Sequence, residues 1–166
     1  MKTLRRRRQE GKTDYGKRVK LLKSEIPRLV VRRTNKHIIA QYTLSEDAKD
    51  KIVFGITSKA LIKYGWPEEF RGSLKSISAS YLTGFLIGKK IQKQKLKQPI
   101  IDFGMLRMQH KNKLFAFIKG IIDSGIEIPC KEEAFPEEER IKGKNLKEDF
   151  SKYFDKIKTK IETEKW

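Results

Sequence analysis

The sequence contains a single cysteine, Cys130, and only two histidines, His37 and His110, in 166 residues. One thiol cannot form an intrachain disulfide, and these residues cannot supply the four Cys/His ligands of a structural zinc site. No apolar run is long enough to span a membrane, and the arginine-rich start lacks the apolar core of a secretory signal. The absences predict a cytoplasmic protein without a disulfide, a metal or a cofactor.

Acidic residues are also few compared with basic ones, and the excess of positive charge lies toward the N-terminus. Residues 1–36 carry 14 Lys/Arg and 3 Asp/Glu, residues 37–130 carry 15 and 8, and residues 131–166 carry 10 and 10, for a net charge of +18. Such a chain repels itself and favours a polyanion as partner. RNA, DNA and an acidic membrane surface qualify, but the basic segments lack the wide apolar face that membrane-surface binding needs. We expect nucleic acid as the partner, and neither a membrane nor a small-molecule substrate.

The first 25 residues have the composition of a basic arm. Arg5 to Arg8 are expected to stay extended, because four adjacent like charges gain little by packing. Thr13-Asp14 is a typical cap for a short helix, whose one face would hold Tyr15, Val19 and Leu22. The arm either remains disordered and solubilising or orders against nucleic-acid phosphates, as arginine-rich segments often do.

The next segment predicts a β-hairpin. Two β-rich runs, RLVVRR and HIIAQYT, are separated by Thr34-Asn35-Lys36. The run KIVFGIT predicts a third strand, of central character because both of its faces carry apolar residues. Ser58 is a candidate cap for a short helix that reaches Tyr64 and ends at Gly65. After Pro99, the run IIDFG predicts a further strand.

Amphipathic helices follow these strands. The clearest runs from Ser78 to about Lys95, and its Gly84 and Gly88 each cost about 1 kcal/mol relative to Ala. We expect a close approach of that glycine face to a sheet or to RNA as compensation. The run KLFAFIKGIID predicts a second helix, with Gly125 as its C′ residue. The acidic, Pro-containing stretch 129–143 predicts a surface loop or short helical turns. A terminal helix, docked on the body or on a neighbour, is predicted from one apolar stripe: Leu146, Phe150, Tyr153, Phe154, Ile157 and Ile161.

These elements together predict an α/β fold. It consists of a small mixed sheet that opens with an antiparallel hairpin, helices packed on that sheet, a basic extended N-terminal arm and a helical C-terminal tail. Three parts are expected: the RNA-binding arm 1–25, an α/β RNA-binding domain 26–130, and a charge-neutral, mainly helical extension 131–166.

Motifs of catalysis are missing from the sequence. There is no phosphate-binding G-x-x-x-x-G-K-[ST] loop and no G-x-S-x-G elbow. Asp102 in IIDFG resembles the strand-end Asp of metal-dependent nucleases, but such sites need further carboxylates that converge on the ions. We therefore expect Asp102 to be a structural residue that caps a loop, and we expect no enzyme activity.

The predicted hairpin tip gathers Arg32, Arg33 and Lys36. Their mutual repulsion becomes useful if phosphates lie between them, since neutralising phosphates releases counterions. Thr34, Asn35 and His37 add hydrogen-bonding and stacking groups, which recognition of bases and riboses requires. A solvated charged turn is the alternative.

Several motifs in order resemble one known family. RRRRQEGKTDYGKRVKLLKS, PRLVVRRTNKHIIAQ, SKALIKYGW, ASYLTGFLIG, IIDFG and FAFIKGIIDSGIEIP together cover most of residues 5–130. They resemble the archaeal form of the universal large-subunit ribosomal protein numbered eighteen, whose larger eukaryotic counterpart escorts 5S rRNA. The chain departs from that family at Ser76-Ile77-Ser78, in the loop MLRMQHKNK and at Cys130.

The resemblance implies a structural protein of the ribosome that binds 5S rRNA and helps attach it to the large-subunit rRNA in the central protuberance. Neighbouring ribosomal proteins, including the other 5S-binding protein, are implied partners. General binding of structured RNA is the alternative function. By motif, the resemblance implies rRNA contacts for Arg5, Arg6, Arg7, Arg8, Lys12, Tyr15, Arg18, Arg28, Arg32, Arg33, Thr34, Asn35, Lys36, His37, Ser58, Tyr81 and Thr83.

Overall fold

The computed structural model describes residues 3–46, 49–144 and 150–164. Four strands form one mixed sheet: β1 (Arg28–Arg33), β2 (Ile38–Glu46), β3 (Lys49–Thr57) and β4 (Ile100–Asp102). They lie in the order β3-β2-β1-β4, with β2 antiparallel to both of its neighbours and β4 parallel to β1. The α/β class, the opening hairpin and the mixed sheet are thus confirmed. The central position predicted for KIVFGIT is wrong, because β3 is an edge strand.

The described residues also form helices. They are α1 (Arg6–Gln9), α2 (Tyr15–Lys23), α3 (Ile77–Lys93), α4 (Lys113–Asp123), α5 (Glu138–Lys142) and α6 (Ser151–Thr163), with 3₁₀ turns at Ser58–Tyr64, Glu68–Ser73 and Glu132–Ala134. Where an extended segment was expected, α1 is a single helical turn. The predicted cap of α2 is confirmed, since the Asp14 carboxylate accepts from the backbone N–H groups of Gly16 and Lys17. In the part of the chain that the structure describes, no helix is long and apolar enough to cross a membrane.

The 3₁₀ turn after β3 ends as the sequence predicts but begins differently. Gly65 follows it with φ 99°, in the left-handed region that glycine accepts readily. The hydroxyl of Ser58 does not cap the turn. It accepts a hydrogen bond from the backbone N–H of Ile38 at 3.2 Å, and thereby joins the end of β3 to the start of β2.

Strand alternation divides the sheet into an inner and an outer face. Leu29 and Val31 of β1 pair with Tyr42 and Ala40 of β2, and all four are buried. These side chains lie on the inner face and belong to the core that α3 completes. Since successive residues of a strand point to opposite sides, Arg28 and the other even-numbered residues of β1 lie on the outer face.

Glycines bring α3 and α4 into close contact. A Cβ on Gly84 would overlap the carbonyl oxygen of Phe117, and a Cβ on Gly120 would overlap that of Tyr81. A Cβ on Gly88 would likewise overlap the side chain of Ser124. The expected close approach of the glycine face is present, but its partner is helix α4 rather than a sheet or RNA.

The C-terminal helix packs on the body of the protein. The ring of Phe150, just before α6, lies 4.8 Å from that of Trp66, and Phe154 lies 5.4 Å from Tyr81. Ile157 and Ile161 are also buried. Two members of the predicted stripe differ: Tyr153 is 43% exposed, and Leu146 lies outside the described residues.

On the outer face, one buried arginine joins all four strands. Arg28 of β1 is 2% exposed and donates to Ser45 of β2 at 2.9 Å and to Asp50 of β3 at 2.6 Å. It also donates to Asp102 of β4 at 3.4 Å. Burial raises the pKa of Asp50, but the hydrogen bonds that it accepts outweigh this effect and lower the pKa overall. This cluster, the Arg28 network, replaces apolar packing on that side of the sheet.

Because α3 and α4 are in close contact, one added methyl group at Gly84 should strongly reduce the stability of the protein. Gly84→Ala should lower the free energy of unfolding by about 1–3 kcal/mol or more, because the new Cβ has no free volume against the Phe117 backbone. Denaturant unfolding would measure the loss. The control is Gly72→Ala, where a Cβ meets nothing within 4 Å. This control should be neutral or gain about 0.4–1 kcal/mol, and equal behaviour of the two variants would contradict the predicted overlap.

The Arg28 network predicts a large cost for losing its arginine. Arg28→Ala should lower the free energy of unfolding by about 3–5 kcal/mol, because two carboxylates lose their buried partner. The control is Arg32→Ala, which should cost less because its side chain is half-exposed. Its ion pair with Asp102, at 3.7 Å, is worth at most about 1 kcal/mol, and it also donates to the carbonyls of Val31 and Asp102. Urea titrations of both variants would compare these losses, and a small loss for Arg28→Ala would show that the network does not support the sheet.

Candidate nucleic-acid interface

The hairpin tip is a four-residue turn closed by Thr34. The backbone N–H of Thr34 donates to the carbonyl of His37 at 2.8 Å, and the Thr34 hydroxyl donates to the same oxygen at 2.9 Å. That hydroxyl also accepts from the backbone N–H of His37 at 2.9 Å. Thr34 therefore holds the turn, and the side chains of Asn35 and Lys36 are left exposed at its end.

The two arginines at the end of β1 lie on opposite faces of the sheet. Arg32 turns to the outer face, where its guanidinium donates to the carbonyl of Asp102 at 3.1 Å. Arg33 turns to the inner face and lies near the start of α4. The sequence places these charges side by side at one tip, whereas the pleat of the strand sends them to different surfaces.

The arm lies against the outer face and encloses a small basic hollow with it. The Arg18 guanidinium pairs with Asp50 at 2.9 Å, and the Lys17 ammonium donates to the carbonyl of Gly104 at 3.4 Å. Both contacts hold α2 beside the Arg28 network. The resulting cavity of about 90 Å³ is called the arm hollow, and its basic lining consists of Arg7, Lys12, Lys17, Arg18 and Arg32.

Lys17 is a residue of the arm hollow that the sequence prediction missed. It lies in α2 between the Asp14 cap and Leu21, and all three line the hollow together with Arg18. Positions 14, 17, 18 and 21 share one face of a helix. Helical spacing counted from the cap would have identified this lysine.

Several cations of the arm form surface contacts with nearby side chains of the same segment. Arg6 pairs with Glu10 at 2.9 Å, and Lys12 pairs with the same carboxylate at 2.7 Å. The hydrogen bonds from Lys12 and then from Arg6 lower the pKa of Glu10. Arg5 lies over the ring of Tyr15, 4.8 Å from its centre. Exposed pairs of this kind contribute little stability, so phosphates can replace their carboxylates at small cost.

His37 is a neutral group beside the charged tip. Burial, and then the charges of Lys59 and Lys36, lower the pKa of its imidazole. A neutral imidazole has one donor and one acceptor nitrogen. The Nδ1 atom of His37 is buried, and no described residue forms a hydrogen bond with it.

Four of the residues predicted to contact RNA are buried in the fold. Arg28 belongs to the network under the arm, and Ser58 joins β3 to β2. Thr83 donates to the carbonyl of Ala79 within α3 at 2.7 Å. Tyr81 donates to Asp123 at 2.7 Å, and burial followed by that carboxylate raises the pKa of its phenol. Each of the four is at most 3% exposed, so their side chains serve the fold and are left out of the interface proposed below.

Asp102 has the structural role that the sequence predicts. Its carboxylate accepts from the backbone N–H of Gly104 at 2.7 Å and thereby caps the loop after β4. Its other neighbours are the guanidinium groups of Arg28 and Arg32, not further carboxylates. Within residues 3–46, 49–144 and 150–164, no group of three His, Cys, Asp or Glu side chains forms a possible metal site.

Similar proteins share one description. A family model for ribosomal large subunit proteins 60S L5 and 50S L18 matches residues 1–100. The large ribosomal subunit protein uL18 of Korarchaeum cryptofilum is 43% identical over 141 residues, which cover 85% of this chain and 70% of that protein. The uL18 of Methanoregula boonei is 42% identical over 141 residues, which cover 85% of this chain and 79% of that protein.

These similarities confirm the resemblance seen in the sequence and agree with a protein of the cytoplasmic ribosome. They also confirm a structural, non-enzymatic role, because the family model and both relatives named above are large-subunit ribosomal proteins. The chain belongs to the family of large-subunit ribosomal proteins that comprises 60S L5 and 50S L18.

Proposed function

We propose that this protein binds 5S rRNA and helps attach it to the large-subunit rRNA in the central protuberance. The observation that carries the proposal is the placement of the arm against the hairpin. Contacts of Lys17 and Arg18 hold the most basic segment of the chain against the outer face, beside Arg32 of the hairpin. The arm and the hairpin together combine a concentrated positive charge with polar groups that can read RNA.

Affinity on this surface comes from the cations. Each phosphate that a Lys or Arg neutralises releases counterions, so that binding weakens steeply as salt rises. The arm and the hairpin tip both present exposed cations, and Arg6, Arg8 and Lys12 of the arm are held by weak surface pairs. The proposed phosphate contacts of the arm and the hairpin are Arg5, Arg6, Arg7, Arg8, Lys12, Lys17, Arg18, Arg32 and Lys36, with Arg33 on the opposite, inner face.

Discrimination between RNAs comes from the uncharged groups. Asn35 is exposed at the end of the turn, where its amide can donate to and accept from a base edge. His37 supplies a neutral imidazole beside it, and Tyr15 offers a ring on which a base or an arginine can stack. Thr34 acts indirectly, because its hydroxyl fixes the turn that presents these side chains.

Further partners follow from the proposed position in the ribosome. The large-subunit rRNA and neighbouring ribosomal proteins, including the other 5S-binding protein, would lie around the complex. No small-molecule substrate and no membrane is part of the proposal.

Competition binding tests the proposed specificity. Labelled 5S rRNA is bound at about physiological salt and challenged with excess unlabelled 5S rRNA or with an unrelated structured RNA of equal length. Only the 5S competitor should displace the label efficiently, because base and shape contacts add to the general attraction of phosphates. Equal displacement by both RNAs would instead identify a general binder of structured RNA.

Removing the charges of the hairpin tip tests the surface itself. Arg32→Ala, Arg33→Ala and Lys36→Ala together should raise the Kd for 5S rRNA at least about tenfold and reduce the slope of log Kd against log salt by about 2–3. Fluorescence anisotropy at several salt concentrations would measure both quantities.

The control for this experiment removes the same number of charges from an exposed stripe of α6, at Lys152, Lys156 and Lys160. It should leave the slope nearly unchanged, because these lysines line neither the hairpin nor the arm hollow. If the tip variant and the control bind alike, the tip does not contact RNA.

A further inference from the structure

A second basic concavity lies on the helix side of the sheet. It has a volume of about 330 Å³ and lies between the hairpin, the loop that precedes α4, and α5. We call it the helix cleft. Five cations line it: Arg33, Arg107, Lys111, Lys113 and Arg140.

The charge of the helix cleft is hardly compensated. Lys111 pairs with Glu137 at 3.3 Å, and both side chains are more than half exposed. For Arg33, Arg107 and Arg140, the described part of the chain supplies no carboxylate within ion-pair distance. Three segments distant in sequence thus bring like charges together around one cavity, which costs free energy unless an anion enters.

Lys113 has the least favourable position of these cations. It is the first residue of α4, where the positive end of the helix dipole and the absence of any acidic side chain in the first turn disfavour a cation. Burial, and then the charges of Lys75 and Arg33, lower the pKa of its ammonium group. Asn112 caps the helix by accepting from Leu114 and Phe115, so nothing in the capping of α4 requires a lysine here.

The lining of the cleft also suits a phosphate. Two guanidinium groups that can bind phosphate oxygens in pairs, Arg107 and Arg140, accompany the compact charge of Lys113. None of the described residues that line the cavity is aromatic, so they offer no ring on which a base could stack. These features suit the backbone of a nucleic acid rather than its bases.

We propose that the helix cleft binds phosphates of an RNA backbone, independently of sequence, on the side of the sheet opposite the arm hollow. The proposal rests on the proposed function, because it takes RNA to be the partner. It adds a second contact surface that includes Arg107, Lys113 and Arg140. With Arg32 in one surface and Arg33 in the other, the hairpin lies between two segments of RNA backbone.

The proposal is tested by measuring how two RNAs bind to a variant with fewer charges in the cleft. The double variant Arg107→Gln, Lys113→Gln leaves every residue of the arm and the hairpin tip unchanged. Its Kd for 5S rRNA should rise about tenfold, and the slope of log Kd against log salt should fall by about 1–2, since about 0.7–0.9 of a unit is lost per phosphate contact. Its Kd for an unrelated structured RNA should rise by the same factor.

The matched control is Lys152→Gln, Lys156→Gln, which removes two exposed charges from α6, outside the cleft. It should leave the salt slope nearly unchanged. An unchanged slope in the cleft variant, or an equal change in the control, would overturn the cleft proposal. A cleft variant that weakens both RNAs supports the cleft even if the wild-type protein fails to prefer 5S rRNA. A wild-type protein that binds neither RNA overturns the cleft and the proposed function together.

Thermal unfolding without RNA separates a binding role from a structural one. Lys113→Gln should unfold at the same temperature as the wild-type protein or a few degrees higher, because it removes a half-buried, repelled charge. The same variant should bind RNA more weakly. A lower unfolding temperature would mean that Lys113 is kept for the packing of α4, and would overturn its assignment to a phosphate site.

Discussion

The Arg28 network is the interaction on which the outer side of this protein depends. One guanidinium group contacts side chains of β2, β3 and β4 while its own backbone lies in β1. The carboxylates that it orders have second tasks: Asp50 pairs with Arg18 of the arm, and Asp102 contacts Arg32 of the hairpin. The sheet, the arm and the hairpin are therefore oriented by the same buried charge. A buried ion cluster is a costly way to stabilise a sheet, but it fixes directions that apolar packing leaves free.

That arrangement explains how a basic arm can be ordered and still available to RNA. Two contacts of the arm face inward, one with Asp50 and one with the Gly104 carbonyl. They set the position of α2. The pairs that face outward, such as Arg6 with Glu10, are exposed and weak. A phosphate can displace the outward partners without disturbing the inward ones. Binding then needs less ordering of the chain than a disordered arm would need.

Sequence patterns predicted most of the fold because its elements are locally consistent. The hairpin, the Asp14 cap, the two main helices and the turn at Gly65 follow from alternation, capping residues and glycine. The errors come from long-range packing. β3 has apolar residues on both faces, yet Ile52 and Val53 lie at an exposed edge. The order of the strands decides whether β3 is central or at an edge. That order depends on which strand β4 pairs with, and local sequence does not encode this pairing.

The sequence predicted the proposed RNA interface less completely than the fold, for a related reason. A basic residue type predicts a contact with RNA only if its side chain reaches the surface, and Arg28 shows the same residue type used inside the fold. Conversely, only the tertiary fold brings Arg107 and Lys113 together with Arg33 and Arg140. The charged loop MLRMQHKNK contains Arg107 and Lys113, but no local sequence pattern connects this loop with α5. The three-part division of the chain remains a prediction.

The position of the charges also limits what they cost the free protein. A net charge of +18 opposes compaction, because like charges repel at close range. The sheet lies between the arm hollow and the helix cleft and separates the cations of the two surfaces. The neutral C-terminal segment closes the core through Phe150 and Phe154 without adding charge. Within each surface, an RNA phosphate can offset the repulsion between neighbouring cations.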